Sequence, residues 1–286
     1  MKSKIILLSI VLLSSSMYGK SLFSNGEQKE VSIYIGSLKN LMISTQKTRG
    51  LTNSYLNGNT SDLLLLFENK KNMKKAISNM ESSKMAEDQV INNRASKISD
   101  SLLRLNSKSL NMDKKEVFKK YTDQIESILI LSQTVNKRGY NDLNDIGKKI
   151  SSLMIDNLLP LTEYIGKTRG FGSGIAAKKS ITKDDTMIIY ANISEIEDLN
   201  RQINTIMNSL LENNGDEFPI NTSVLLAKLN KSISKYMILT KEKLLKNPSS
   251  VNSTEYFENG SDIISLITKL YDNNNKVLLN DSKGYF

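Results

Sequence analysis

The sequence predicts an all-α protein, an up-down antiparallel arrangement of about eight helices in one or two bundles, built as two related halves. Three observations carry this. Apolar residues step by three and four almost throughout, as Val31, Ile35, Leu38 and Met42 do. Only three prolines interrupt the 286 residues. No stretch alternates polar and apolar side chains at the period of two that a strand requires, and no hairpin turn stands out.

Residues 1–19 read MKSKIILLSIVLLSSSMYG, with Lys2 and Lys4 ahead of an apolar run and a small residue, Gly19, behind it. That is the layout of a cleavable secretory signal, and the run is shorter than the roughly 20 residues a membrane span needs. The expected location is therefore periplasmic or secreted. Removing Lys2 and Lys4 takes the net charge from +9 to +7.

Residues 20–286 read as a single domain with halves at about 27–137 and 140–282. The first helix is expected over 27–56 and is broken by Asn57-Gly58-Asn59. Further helices follow over 61–82, 84–106 and 114–136, the last capped by Asp113 and ended at Arg138-Gly139. A long segment, 141–179, contains Pro160, which should kink or divide it. Thr182 with Asp185 forms a capping-box start for a helix over 183–213. Asn221 or Thr222 opens another that stops before Pro248, and Asn252-Ser253 caps a last helix to about 281.

Composition narrows the chemistry. With no His and no Cys, Ser-His-Asp triads, thiol nucleophiles, zinc sites and disulfides are excluded. Neither a cofactor nor a metal is expected, and the chain reads as a binding protein rather than an enzyme. Few aromatics and scattered lysines also argue against nucleic acid as a partner. The acidic group Glu195, Glu197 and Asp198 reads as solvated surface, leaving a paired-carboxylate hydrolase the weakest alternative.

Of 39 cationic residues only six are Arg. Two of them sit in a repeated motif: residues 45–56 read TQKTRGLTNSYL and residues 165–176 read IGKTRGFGSGIA. Lys-Thr-Arg-Gly thus recurs 120 residues apart, each time after an apolar helical stretch. On helical spacing Arg49 shares its face with Met42, Thr45, Gln46, Thr52, Asn53 and Leu56. Arg169 shares its own with Thr162, Ile165, Gly166, Gly172, Ser173 and Ala176. Neither face carries an acid, so a buried guanidinium there needs a counter-charge from elsewhere. Gly50, Gly166, Gly170, Gly172 and Gly174 each cost a helix about 1 kcal/mol relative to Ala, which suggests close backbone approach or backbone N–H groups offered to an anion. Two guanidinium forks facing one another would hold a small planar anion. The competing reading gives each arginine an Asp or Glu from another helix and leaves the glycines to tight packing.

LMISTQKTRGLTNSYLNG resembles the opening signature of the nitrate- and nitrite-sensing (NIT) domain family. LLPLTEYIGKTRGFGSGIAAKK resembles that family's second Arg-Gly motif, and EYFENGSDIISLITKLYDNN is similar to its closing helix. The resemblance implies an all-helical fold in which an arginine from each half, Arg49 and Arg169 here, binds nitrate or nitrite. Thr45, Thr48, Gly50, Thr168 and Gly170 would support them. Members usually carry an output module such as a kinase, a chemoreceptor or an RNA-binding antiterminator. None is recognisable here, so the expected partner is a separate membrane sensor kinase or chemoreceptor, with a homodimer compatible with the bundle. The alternative is an exported helical adaptor with no small ligand.

Overall fold

A computed structural model describes residues 3–281, with side chains given for 26–280. The leader expected over residues 1–19 lies outside the described side chains. Nine α-helices account for nearly all of the described chain: α1 (Ser3–Leu56), α2 (Asp62–Glu81), α3 (Gln89–Lys108), α4 (Lys114–Gly139), α5 (Asp145–Ser152), α6 (Leu159–Lys178), α7 (Lys183–Asn214), α8 (Thr222–Leu239) and α9 (Ser253–Asp281). No described residue is in a strand. Among the described residues, no helix is long and apolar enough to cross a membrane.

Most expected boundaries have an identifiable cap. Gly58 takes φ +109° after α1, a conformation glycine adopts without a Cβ penalty. Asp113 accepts from the backbone N–H groups of Lys115 and Glu116. Thr182 and Asp185 form the reciprocal capping box at the start of α7.

Three departures have local causes. α1 continues back to Ser3, well before residue 27, because isolated glycines weaken a helix without stopping it. The third segment begins later than expected, since Asp88 accepts from Val90 and Ile91 and so starts α3 at Gln89 after a short 3₁₀ turn. The segment 141–179 divides into α5 and α6 through one π-helical stretch, Leu153–Leu158. Pro160 lacks an N–H, and its ring would clash with the carbonyl of Asp156; the wider π turn just before it absorbs both problems.

The two motif helices occupy matching places. α1 packs against α2, α4 and α6, and α6 packs against α1, α7 and α9. Their apolar faces feed one contiguous core that includes Leu38, Leu41, Tyr121, Ile128, Leu161, Ile165, Ile196 and Leu270. α1 and α6 meet at Gly50 and Gly170. A Cβ built on Gly170 would stand 2.9 Å from the Gly50 Cα, and one built on Gly50 would stand 3.2 Å from the Gly170 Cα. Only hydrogen at both positions permits that approach, which brings the two Lys-Thr-Arg-Gly segments together.

Candidate functional site

Both arginines are buried, Arg49 at 0% and Arg169 at 2% exposure, among the largest fully enclosed side chains of the protein. Each is held by a partner helix in the same way. The Arg49 guanidinium lies over the Phe118 ring of α4, 4.9 Å from its centroid, and its Nη1 donates to Thr122 Oγ1 at 2.9 Å. The Arg169 guanidinium lies over the Phe257 ring of α9 at 4.4 Å, and its Nη1 donates to Ser261 Oγ at 2.9 Å. In both cases the hydroxyl sits four residues after the phenylalanine and donates to that phenylalanine's carbonyl. An aromatic face and one hydroxyl acceptor therefore support each cation from below and from one edge.

The half-sites then diverge. Arg49 forms a two-pronged ion pair with Glu163 of α6: Nη1 to Oε1 at 2.6 Å and Nη2 to Oε2 at 3.2 Å. Glu163 is 2% exposed. It also accepts from Gln46 Nε2 at 2.9 Å, and the Lys167 ammonium stands 3.9 Å from Oε1. Shifting back by the 120-residue repeat puts Ile43 where Glu163 stands, so the Arg169 half lacks the matching acid. Arg169 Nε and Nη2 both have no hydrogen-bond partner, whereas Arg49 leaves only its Nε without one. Burial holds its guanidinium down at about 10, against an ordinary 12.5; Arg49 adds to that shift, whereas Tyr236 and Glu163 oppose it.

Beside Arg169 lies the hydroxyl of Tyr236, which also has no hydrogen-bond partner. Burial raises its pKa well above 10, followed in weight by the neighbouring Tyr256, so it remains an O–H donor at neutral pH. Gly260 of α9 makes room for this arrangement. A Cβ there would lie 2.8 Å from Arg169 Cβ, 2.9 Å from Cγ and 3.0 Å from the Tyr236 hydroxyl. The resulting cluster has two guanidinium groups, one carboxylate, an unpaired N–H edge and an unpaired phenolic O–H. Its net charge is one positive, which suits a monovalent oxyanion.

The other motif residues take varied places. Thr45 donates to the Leu41 carbonyl in its own helix. Thr48 donates to the Ser44 carbonyl and accepts from Asn69 of α2. The Thr168 hydroxyl is buried without a partner, and Gly50 and Gly170 make the helix crossing described above. Of the remaining arginines, Arg138 pairs with Asp88 and Arg201 with Asp198, both on the surface. Arg138 lies within α4, which runs to Gly139.

Sequence reasoning missed Glu163, Phe118, Thr122 and Tyr236 as parts of this cluster. Glu163 was within reach of it, being the one acid in the apolar stretch LLPLTEY that leads into the second motif. The described residues contain no group of three or more acidic side chains placed to hold a metal ion.

A comparison with protein families matches residues 40–273 to the family described as nitrate and nitrite sensing (NIT). Comparison with curated proteins returns no match. Among solved structures, the chain is similar to the one titled "Structure of the NasR transcription antiterminator". The TM-score is 0.71 at 11% identity, covering 96% of this chain and 74% of that one. At that identity the likeness establishes the shared helical fold. The family match spans both arginine motifs, all of α4 and most of α9, and the family is a sensing one: the chain belongs to the nitrate- and nitrite-sensing (NIT) domain family.

Proposed function

We propose that this protein is an exported receptor for nitrate or nitrite, which it binds between Arg49 and Arg169, and that it passes the signal to a separate membrane sensor kinase or chemoreceptor. The observation that carries the site assignment is the unpaired Nε and Nη2 edge of Arg169 at 2% exposure. Leaving two charged donors buried without acceptors is costly, and a planar oxyanion accepts from such an edge with matching geometry. Tyr236 adds a neutral donor beside it. The family supplies the ligand class, and the guanidinium pair supplies the means of binding it. Export rests on the amino-terminal leader pattern alone.

An adaptor without a ligand would place an acid against both arginines. That arrangement holds for Arg49 and not for Arg169. Titration calorimetry with sodium nitrate and sodium nitrite on wild type, Arg49→Ala and Arg169→Ala tests the assignment. Heat from the wild type with loss in both variants is the expected outcome. Equal heats in all three proteins would move the site elsewhere, and no heat from the wild type would leave the adaptor reading.

A further inference from the structure

We infer that Glu163 is an internal stand-in for the anion: its carboxylate occupies the Arg49 fork that the ligand takes, and binding displaces it toward Lys167. The inference rests on the nitrate or nitrite site proposed above.

A carboxylate and a nitrate present the same thing to a guanidinium, a flat edge of two oxygens accepting two parallel N–H bonds. Glu163 already supplies that edge to Arg49, at 2.6 and 3.2 Å, while Thr122 takes a further bond from Nη1. An anion bridging both arginines cannot use the Arg49 fork while Glu163 fills it. Arg49 Nε has no partner, but a two-pronged grip through the Nε–Nη2 edge still requires the carboxylate to give up Nη2, and a buried carboxylate yields only if another cation receives it. Lys167 is that cation. Its ammonium lies 3.9 Å from Glu163 Oε1, one helical turn on, and 3.9 Å from Glu126 Oε1 on α4. It stands over the Tyr164 ring with its side chain 21% exposed. Space exists on that side as well. A cavity of about 440 Å³ has in its lining Lys167 and Lys115, the acids Asp184 and Asp185, and Phe118 and Thr122 from beneath Arg49. Phe118 and Thr122 thus touch both the cavity and the Arg49 guanidinium.

Two consequences separate this role from a merely structural ion pair. Removing the competing charge should tighten anion binding, and removing Lys167 should weaken it only while Glu163 is present to be received. Nitrate is titrated calorimetrically into the full chain as wild type, Glu163→Gln, Lys167→Met and the double variant, in buffer free of other small anions. Glu163→Gln is expected to bind nitrate about ten- to a hundredfold tighter, the scale of a lost charge-assisted hydrogen-bond pair. Lys167→Met is expected to weaken binding several-fold in the wild-type background and to change nothing in the Glu163→Gln background. If Glu163→Gln folds only when nitrate is added, the anion has replaced the carboxylate, and the inference stands. Unchanged or weaker binding by Glu163→Gln, with the wild type binding normally, would overturn the inference and leave the site assignment intact. Unchanged binding by Lys167→Met would overturn the proposed destination of the carboxylate. Absence of both nitrate and nitrite binding by all four proteins, nitrite being titrated in the same way, would overturn the proposed function and this inference together.

Discussion

Arg49 and Arg169 occupy the same position of the same tetrapeptide, yet replacing each by methionine should affect stability very differently. Arg49→Met removes one partner of an ion pair whose members are 0% and 2% exposed. The remaining Glu163 carboxylate keeps the Gln46 bond at 2.9 Å and the Lys167 ammonium at 3.9 Å. Breaking a buried pair in this way costs about 3–5 kcal/mol, and the nearby lysine favours the lower end. Arg169→Met instead removes a cation that no carboxylate pairs with directly, although Glu163 acts on it from farther off. Its guanidinium is pushed from 12.5 down to about 10, chiefly by burial. A shift of that size corresponds to roughly 3 kcal/mol held against folding in the charged form. The Phe257 stacking and the Ser261 bond return about 2 kcal/mol of it. Arg169→Met should therefore change stability by no more than about 1 kcal/mol while losing anion affinity. Urea unfolding followed by helical circular dichroism, in zwitterionic buffer without small inorganic anions, measures both changes. A loss for Arg169→Met as large as that for Arg49→Met would refute the reasoning, because it would require a counter-charge in contact with Arg169 that the described residues do not supply.

The helix crossing makes a second prediction. Gly170→Ala places a Cβ 2.9 Å from a backbone atom where ordinary contact begins at 3.4 Å. α1 and α6 must separate by about 0.5 Å or more, at a net cost of about 1–3 kcal/mol, and nitrate affinity should fall as the arginines part. Gly36→Ala, where a Cβ meets nothing within 4 Å, should instead gain up to about 1 kcal/mol in the same unfolding assay. Alkaline pH supplies a third. Burial raises the Tyr121 and Tyr256 hydroxyls from 10 to about 12, so their contribution is complete below pH 10 and is lost as pH rises toward 12. The share of the tyrosinate absorbance near 295 nm that is lost in Tyr121→Phe and Tyr256→Phe should then rise together with the loss of helical signal, rather than before it. Replacing the Thr182 cap by alanine should cost about 1 kcal/mol with no effect on nitrate affinity, since the capping box lies at the start of α7.

The helices and their ends could be read from the sequence because local rules decide them. Asp113, Thr182 and Asn57-Gly58-Asn59 each act on backbone groups a few residues away. The arginine pair could be found because a repeated motif used two of six arginines on faces lacking acids. Glu163 could not be assigned to Arg49 on those grounds, since the two are 114 residues apart and helical spacing says nothing about which faces meet. The same holds for Phe118 with Thr122 and Phe257 with Ser261. Each is an aromatic and a hydroxyl at a spacing of four, a common pattern that gains meaning only when α4 and α9 are seen to underlie the arginines. The glycines are intermediate. Their presence in helices signalled close approach, but the pairing of Gly50 with Gly170 is a property of the packed bundle.

The unequal half-sites bear on how binding could become a signal. A ligand shifts a conformational equilibrium only by its difference in affinity for the two states. Two identical arginine half-sites, both unpaired, would draw in an anion strongly while leaving the free state poorly defined, since like charges repel. Two fully paired half-sites would be well defined and would offer an anion little. Here one arginine is tied across the α1–α6 interface by Glu163 while the other carries an unpaired edge in the same buried cluster. If the proposed site holds, the free state is kept by a specific tether, and the bound state would be kept by a different one in which the anion bridges the helices. Because α1 and α6 touch at Gly50 and Gly170 with almost no clearance, exchanging one tether for the other acts on the relative position of two long helices, which a side-chain rearrangement alone would leave unchanged.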